Sequence, residues 1–180
     1  MLENLKSEDF WKIARRYFVL NDARIRWHFV GQVQTKKAKY LIGNFHLIHA
    51  VDRTKLADAL HSRAESEEIK QPVLLQVNIS GESSKAGVQP EGLKNLVRHI
   101  VDNCNCLHLQ GLMGMPALFD QGEAARPYFA KLRTLKQEIE QEFSIQMPHL
   151  SMGMSGDFSS AIQEGSTLVR IGTNIFGERE

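Results

Sequence analysis

Apolar and polar positions alternate along this chain in two rhythms. From Ile25 onward, short runs that are apolar almost throughout are separated by stretches whose apolar residues recur every three or four positions. The runs are IRWHFVG (25–31), FHLIHAVD (45–52), PVLLQVNIS (72–80), LHLQGLMGM (107–115), PHLSMGMS (148–155) and TLVRIGTNIFG (167–177). Each predicts a strand covered on both faces. The intervening stretches 35–43, 53–68, 90–103, 123–143 and 157–165 predict helices, with Pro90 opening the third and Asp157 and Gly165 bracketing the last. Ahead of the first strand, Ser7 caps an amphipathic helix whose apolar face is Phe10, Trp11, Ala14, Tyr17 and Phe18.

Six strands alternating with helices predict an α/β domain with a parallel sheet and right-handed crossovers. An open doubly wound sheet and an incomplete (β/α)8 TIM-type barrel of about six βα units both fit this pattern. A full barrel takes about 250 residues, so a chain of 180 falls short by roughly two units. No linker or low-complexity segment divides the sequence, and residues 1–180 read as a single domain.

Composition changes this picture little. The chain is 42% hydrophobic and 24% charged with a net charge of +1, so neither nucleic acid nor a membrane surface is expected as an electrostatic partner. No apolar run is long enough to cross a bilayer, and MLENLKSEDF lacks the basic-then-apolar order of a signal peptide. Cys104 and Cys106 are too close in sequence to staple a fold. A reducing, cytoplasmic setting is the expectation.

Candidate chemistry gathers after the last two strands. SMGMSGD (151–157) and GTNIFG (172–177) combine small residues, which let backbone N–H groups approach an anion, with the hydroxyls of Ser155 and Thr173. In barrels, phosphate commonly sits between the loops after the final strands. The alternative is that these glycines only make tight turns. Arg170 lies within the last strand, two residues before Gly172 and on the same side if the strand stays regular. A guanidinium there either faces a ligand, donating to an acceptor such as a pyridine nitrogen, or is a core arginine paired with Asp157 or Glu164. The seven histidines show no ligand spacing, and His46 and His49, three apart in a strand, are expected to face opposite sides. No metal site and no catalytic constellation is assigned.

WHFVGQVQTKKAKYL, VNISGESSKAGV, LQGLMGMP and LSMGMSGDFSSAIQEGSTLVRIGTNIFG together closely resemble the pyridoxal phosphate homeostasis proteins, from about Arg24 to Gly177. The resemblance implies an alanine-racemase-like N-terminal barrel, preceded here by a divergent helical segment (1–23). It implies pyridoxal 5′-phosphate (PLP) as cofactor, its phosphate held by Ser155, the backbone around Gly153, Gly172 and Thr173, and its ring nitrogen faced by Arg170. Asn78 and Met113 would line the pocket. Family members begin with a strand carrying VSK, whose lysine forms the Schiff base, and a second strand ending near GEN. Neither is fully present. The resemblance therefore implies a truncated or split PLP homeostasis protein, not an enzyme, that binds the cofactor non-covalently if at all. Its partners would be PLP, PLP-dependent enzymes, and a second copy or a complementing N-terminal fragment on unpaired strand edges. A racemase-class fragment or a non-binding interaction module are the alternatives.

Overall fold

The computed structural model describes residues 25–117 and 119–177; the helix expected over 7–18 lies outside them. Six strands form one parallel sheet: β1 (His28–Phe29), β2 (Leu47–Val51), β3 (Gln71–Val77), β4 (Leu107–Gly114), β5 (His149–Met154) and β6 (Leu168–Arg170). Helices α1 (Thr54–Ser66), α2 (Pro90–Asn103), α3 (Arg126–Phe143), α4 (Phe158–Gln163) and α5 (Thr173–Phe176) alternate with them, joined by 3-10 turns at Thr35–Tyr40 and Gly122–Ala125. Spatial order follows chain order from β1 to β6. A doubly wound sheet would reverse direction at a switch point, so the incomplete barrel is the arrangement formed.

The curl of the sheet is visible in one contact. His49 of β2 and Ser151 of β5 are separated by β3 and β4, yet Nδ1 and Oγ lie 2.9 Å apart. In a flat sheet three strand spacings would hold them about 14 Å apart. The strands therefore wrap around an interior, with their two faces meeting different neighbours. On the outer face Ile48, Val73, Leu75 and Leu112 pack with Leu60, Val97, Phe129 and Leu132 in one continuous core. On the inner face Leu47, Leu74 and Met113 form a second, small cluster flanked by Leu168. Leu47 inside and Ile48 outside follow from the two-residue period of a strand.

Each helix buries the stripe its sequence offers. In α2 the buried residues are Leu93, Leu96, Val97 and Ile100, the i, i+3, i+4, i+7 pattern of one helical face. Between β4 and β5, Gly111 is required by close approach: a Cβ there would lie 2.0 Å from the His149 carbonyl oxygen.

Three expectations are corrected. The last strand ends at Arg170, not at Gly177, because Gly172 (φ −110°, ψ −83°) leaves the extended region and α5 begins at Thr173. The first strand is two residues long and, among the described residues, pairs only with β2. His46 and His49 do not face apart: β2 begins at Leu47, so strand alternation does not reach His46, and both rings approach His28, with centroids at 5.7 and 5.2 Å.

Candidate site at the strand ends

The C-terminal ends of β4, β5 and β6 bring the sequence-singled residues together. Arg170 ends β6 and turns into the interior, where Nη1 donates to the Ser151 carbonyl at 2.9 Å and to Ser151 Oγ at 2.8 Å. Nη2 donates to the Gly114 carbonyl at 3.3 Å. A guanidinium carries five N–H groups. Three are used on the protein wall, leaving Nε–H and one Nη2–H with no protein acceptor among the described residues. Burial lowers the Arg170 pKa, opposed by the nearby Asp157 carboxylate.

The core-pairing alternative does not hold. Glu164 Oε1 accepts from Arg126 Nε and Nη2 at 3.0 and 2.9 Å, and Oε2 accepts from Arg133 Nη1 at 2.6 Å. These bonds tie α3 to the end of α4 and draw the Glu164 carboxyl below the usual range, mainly through Arg126. Asp157 starts α4, but its Oδ1 turns back to accept from the Met154 N–H at 2.6 Å. It closes the 154–157 turn and is not an ion-pair partner at hydrogen-bond distance from Arg170.

About the tip of β6 the second half of the site forms. The backbone N–H groups of Gly172 and Asn174 converge on Ser155 Oγ at 3.2 and 3.4 Å, and Asn174 Nδ2 donates to the Ser155 carbonyl at 3.2 Å. The two backbone donors of this candidate anion nest meet at the Ser155 hydroxyl, which accepts from both, so an anion bound here would take the place of that hydroxyl. Gly172 and Thr173 are exposed, Ser155 half-buried, and a Cβ on Gly172 would meet nothing within 4 Å. Gly153 differs. It is buried with φ +95°, and a Cβ would sit 2.6 Å from that of Ala161, so here glycine is what lets β5 close onto α4.

The two weaker pocket candidates are already engaged. Asn78 donates to the carbonyls of Glu82 and Lys85 at 2.9 and 3.3 Å and accepts from Ser80 Oγ and the Gly81 N–H at 3.1 Å each. Its amide organises its own loop. Met113 is fully buried in the inner apolar cluster.

Behind Arg170 the sequence reading missed a row of polar side chains crossing the interior. Ser151 Oγ contacts His49 Nδ1 at 2.9 Å, and His49 Nε2 contacts His28 Nδ1 at 3.0 Å. Ser151 and His49 are buried. Burial, then the charges on His28 and Arg170, pushes the His49 pKa down to about 3. Serine and histidine within apolar strands were the only signal, and that signal does not say they meet. Elsewhere, Asp58, His99 and Cys104 converge where α1 meets α2. His99 Nε2 already bonds Asp58 Oδ1 at 2.6 Å, and burial lifts the Cys104 thiol to about 11, which marks a helix–helix contact.

Curled parallel strands with an inward arginine and small-residue loops at their C-terminal ends define an incomplete (β/α)8 barrel with a candidate site at its strand ends. The profile of the alanine racemase N-terminal domain family matches residues 18–180. The pyridoxal phosphate homeostasis protein of Aquifex aeolicus is 48% identical over 169 residues, covering 94% of this chain and 74% of that protein. PipY of Synechococcus elongatus, solved without PLP, superposes with a TM-score of 0.84 at 29% identity, covering 96% of this chain and 79% of that one. Its structure with PLP bound gives 0.82 at 28% identity. The chain belongs to the pyridoxal phosphate homeostasis protein family, within the alanine racemase N-terminal domain fold.

Proposed function

We propose that this protein binds PLP at the ends of β4–β6 and serves intracellular PLP homeostasis. The observation carrying this reading is the pairing of a donor-rich guanidinium with an anion nest at the tip of the same strand. The phosphate would replace Ser155 Oγ as acceptor of the Gly172 and Asn174 N–H groups, with the Ser155 and Thr173 hydroxyls turning to donate to it and Gly153 supporting the turn. The ring nitrogen, with its single lone pair, would accept from one of the two N–H groups that Arg170 does not spend on Ser151 and Gly114. PLP supplies electron-sink and imine chemistry, and a guanidinium at its ring nitrogen keeps the ring unprotonated and that sink weak. This suits a carrier better than an enzyme, and we assign no catalytic residue.

The holding is non-covalent in this reading. Lys85, in the loop after β3, is already engaged: it donates to the Pro116 carbonyl at 2.7 Å and pairs with Glu82 at 2.6 Å. Residues 1–180 act as one domain, the setting is cytoplasmic, and the recipients are PLP-dependent enzymes. Among the described residues, β1 and β6 each pair on one side only, with Val30, Val169, Ile175 and Phe176 exposed nearby. These edges would take a second copy or a complementing segment.

Equilibrium dialysis against PLP, followed by borohydride reduction and peptide mapping, tests the reading. Saturable one-to-one binding with no reduced adduct supports it. A single stoichiometric pyridoxyl-lysine would overturn the non-covalent part. Equal affinity in the wild type and Arg170→Ala would overturn the site.

A further inference from the structure

The guanidinium at the ring end of the site is held by a hydrogen-bond path that crosses from β6 through β5 and β2 to β1. We propose that His49 is a positioning residue for Arg170, fixed as its Nε2–H tautomer by a one-way chain running Arg170 → Ser151 → His49 → His28.

The direction follows from counting protons. Arginine only donates, so the 2.8 Å contact from Nη1 occupies a lone pair of Ser151 Oγ. The hydroxyl has one proton to give, and Ser151 is fully buried. His49 Nδ1, at 2.9 Å, is the remaining side-chain partner of that hydroxyl. If Nδ1 carried the proton, the serine hydrogen would be buried with no acceptor among the described residues, an arrangement proteins avoid. Ser151 therefore donates to Nδ1, and Nε2–H donates to His28 Nδ1 at 3.0 Å. His28 is then also an Nε2–H tautomer, and each contact within the chain has one donor and one acceptor.

The surroundings keep this arrangement from charging. The groups facing the two histidines are Arg170 from β6, His149 from β5, His46 before β2 and Arg26 before β1, all basic. Asp157 is the carboxylate acting on this cluster, and it acts on Arg170. A second proton on His49 would add a cation beside the guanidinium and remove the acceptor that Ser151 needs. The hydroxyl would then have to turn, loosening the bond that orients Nη1. His49 thus acts on the ligand only through Arg170, leaving Nε–H and one Nη2–H aimed away from the wall.

What the chain is for rests on the PLP reading; the tautomer does not. Long-range ¹H–¹⁵N spectra of the ligand-free wild type should show His49 with Nδ1 bare and Nε2 protonated from pH 7.5 down to pH 5. A protonated Nδ1 would overturn the relay while leaving the site reading intact. For PLP affinity, His49→Leu removes the acceptor, and a loss of about ten-fold is expected, the worth of one hydrogen bond. His49→Asn places Oδ1 near the position of Nδ1 and should recover most of that loss. Competition by inorganic phosphate should be unchanged in both variants, because the anion nest is separate. Wild-type affinity in His49→Leu would overturn the positioning role. Absence of PLP binding in the wild type would instead overturn the site reading and, with it, the role of the chain, while the spectra still decide the tautomer.

Discussion

His49 and Ser151, three strands apart in the sheet, touch at 2.9 Å across the barrel interior. That chord closes the curl with a polar contact where most of the neighbouring inner residues are apolar, and it places an uncharged histidine behind the one interior arginine of the site. Its first consequence concerns acid. In the folded protein His49 takes up no proton until about pH 3, whereas in the unfolded chain it titrates like an exposed histidine near 6.5. The unfolded state therefore binds more protons between those values, and stability falls as pH drops through that window. His49 alone should cost about 1.4 kcal/mol on going from pH 7.5 to 5.5. His28 and His149, also lowered mainly by burial, add to the same direction. Urea denaturation of wild type and His49→Asn at both pH values checks this. An equal pH dependence in the two would show that His49 is not the group responsible.

Arg170→Lys should behave as a site-specific loss. A lysine ammonium has three donors, and the contacts to Ser151 O, Ser151 Oγ and Gly114 O consume all three, leaving none for a ligand. Retained charge with PLP affinity reduced about ten-fold or more is expected in a binding titration. Affinity within two-fold of wild type, an approximate bound for no effect, would mean that the remaining arginine N–H groups do not meet the ring.

Gly153 and Gly172 were alike in the sequence and should part in experiment. Gly153→Ala places a methyl 2.6 Å from Ala161 Cβ at a positive φ, and should destabilise the fold by about 3 kcal/mol. Gly172→Ala has open space and a negative φ, so folding should stay within about 1 kcal/mol of wild type. Its methyl stands where an anion would approach, and PLP affinity should fall. Thermal unfolding and dialysis on the same two variants read both effects.

Glu164→Gln keeps shape but removes the charge shared by Arg126 and Arg133, which join α3 to α4. Both arginines are about two-fifths exposed, so solvent screening keeps the loss of stability small. PLP affinity should not change. Calorimetric unfolding and the PLP titration together separate this scaffold role from a site role.

Much of this molecule was legible beforehand because its information is local. Apolar runs of strand length and helical stripes such as Leu93–Ile100 gave the βα alternation, and small residues beside Ser155 and Thr173 singled out the two loops that meet at the tip of β6. Sheet closure was not legible, because Leu47 and Ile48 are equally apolar although one faces the interior and the other the helices. The partner of Arg170 was hidden for a related reason. Ser151 sits 19 residues away and satisfies the guanidinium with oxygens, whereas charge alone pointed to Asp157 or Glu164. The break after Arg170 was masked by the apolar residues of TNIF, which read as strand until Gly172 turns the chain.

The most direct test is a crystal structure of the protein with PLP. The phosphate oxygens should lie within hydrogen-bond distance of the Gly172 and Asn174 N–H groups, with the pyridine nitrogen facing Arg170 while Nη1 stays on Ser151. A phosphate held by any other loop, or a ring nitrogen turned away from Arg170, would contradict the site described above.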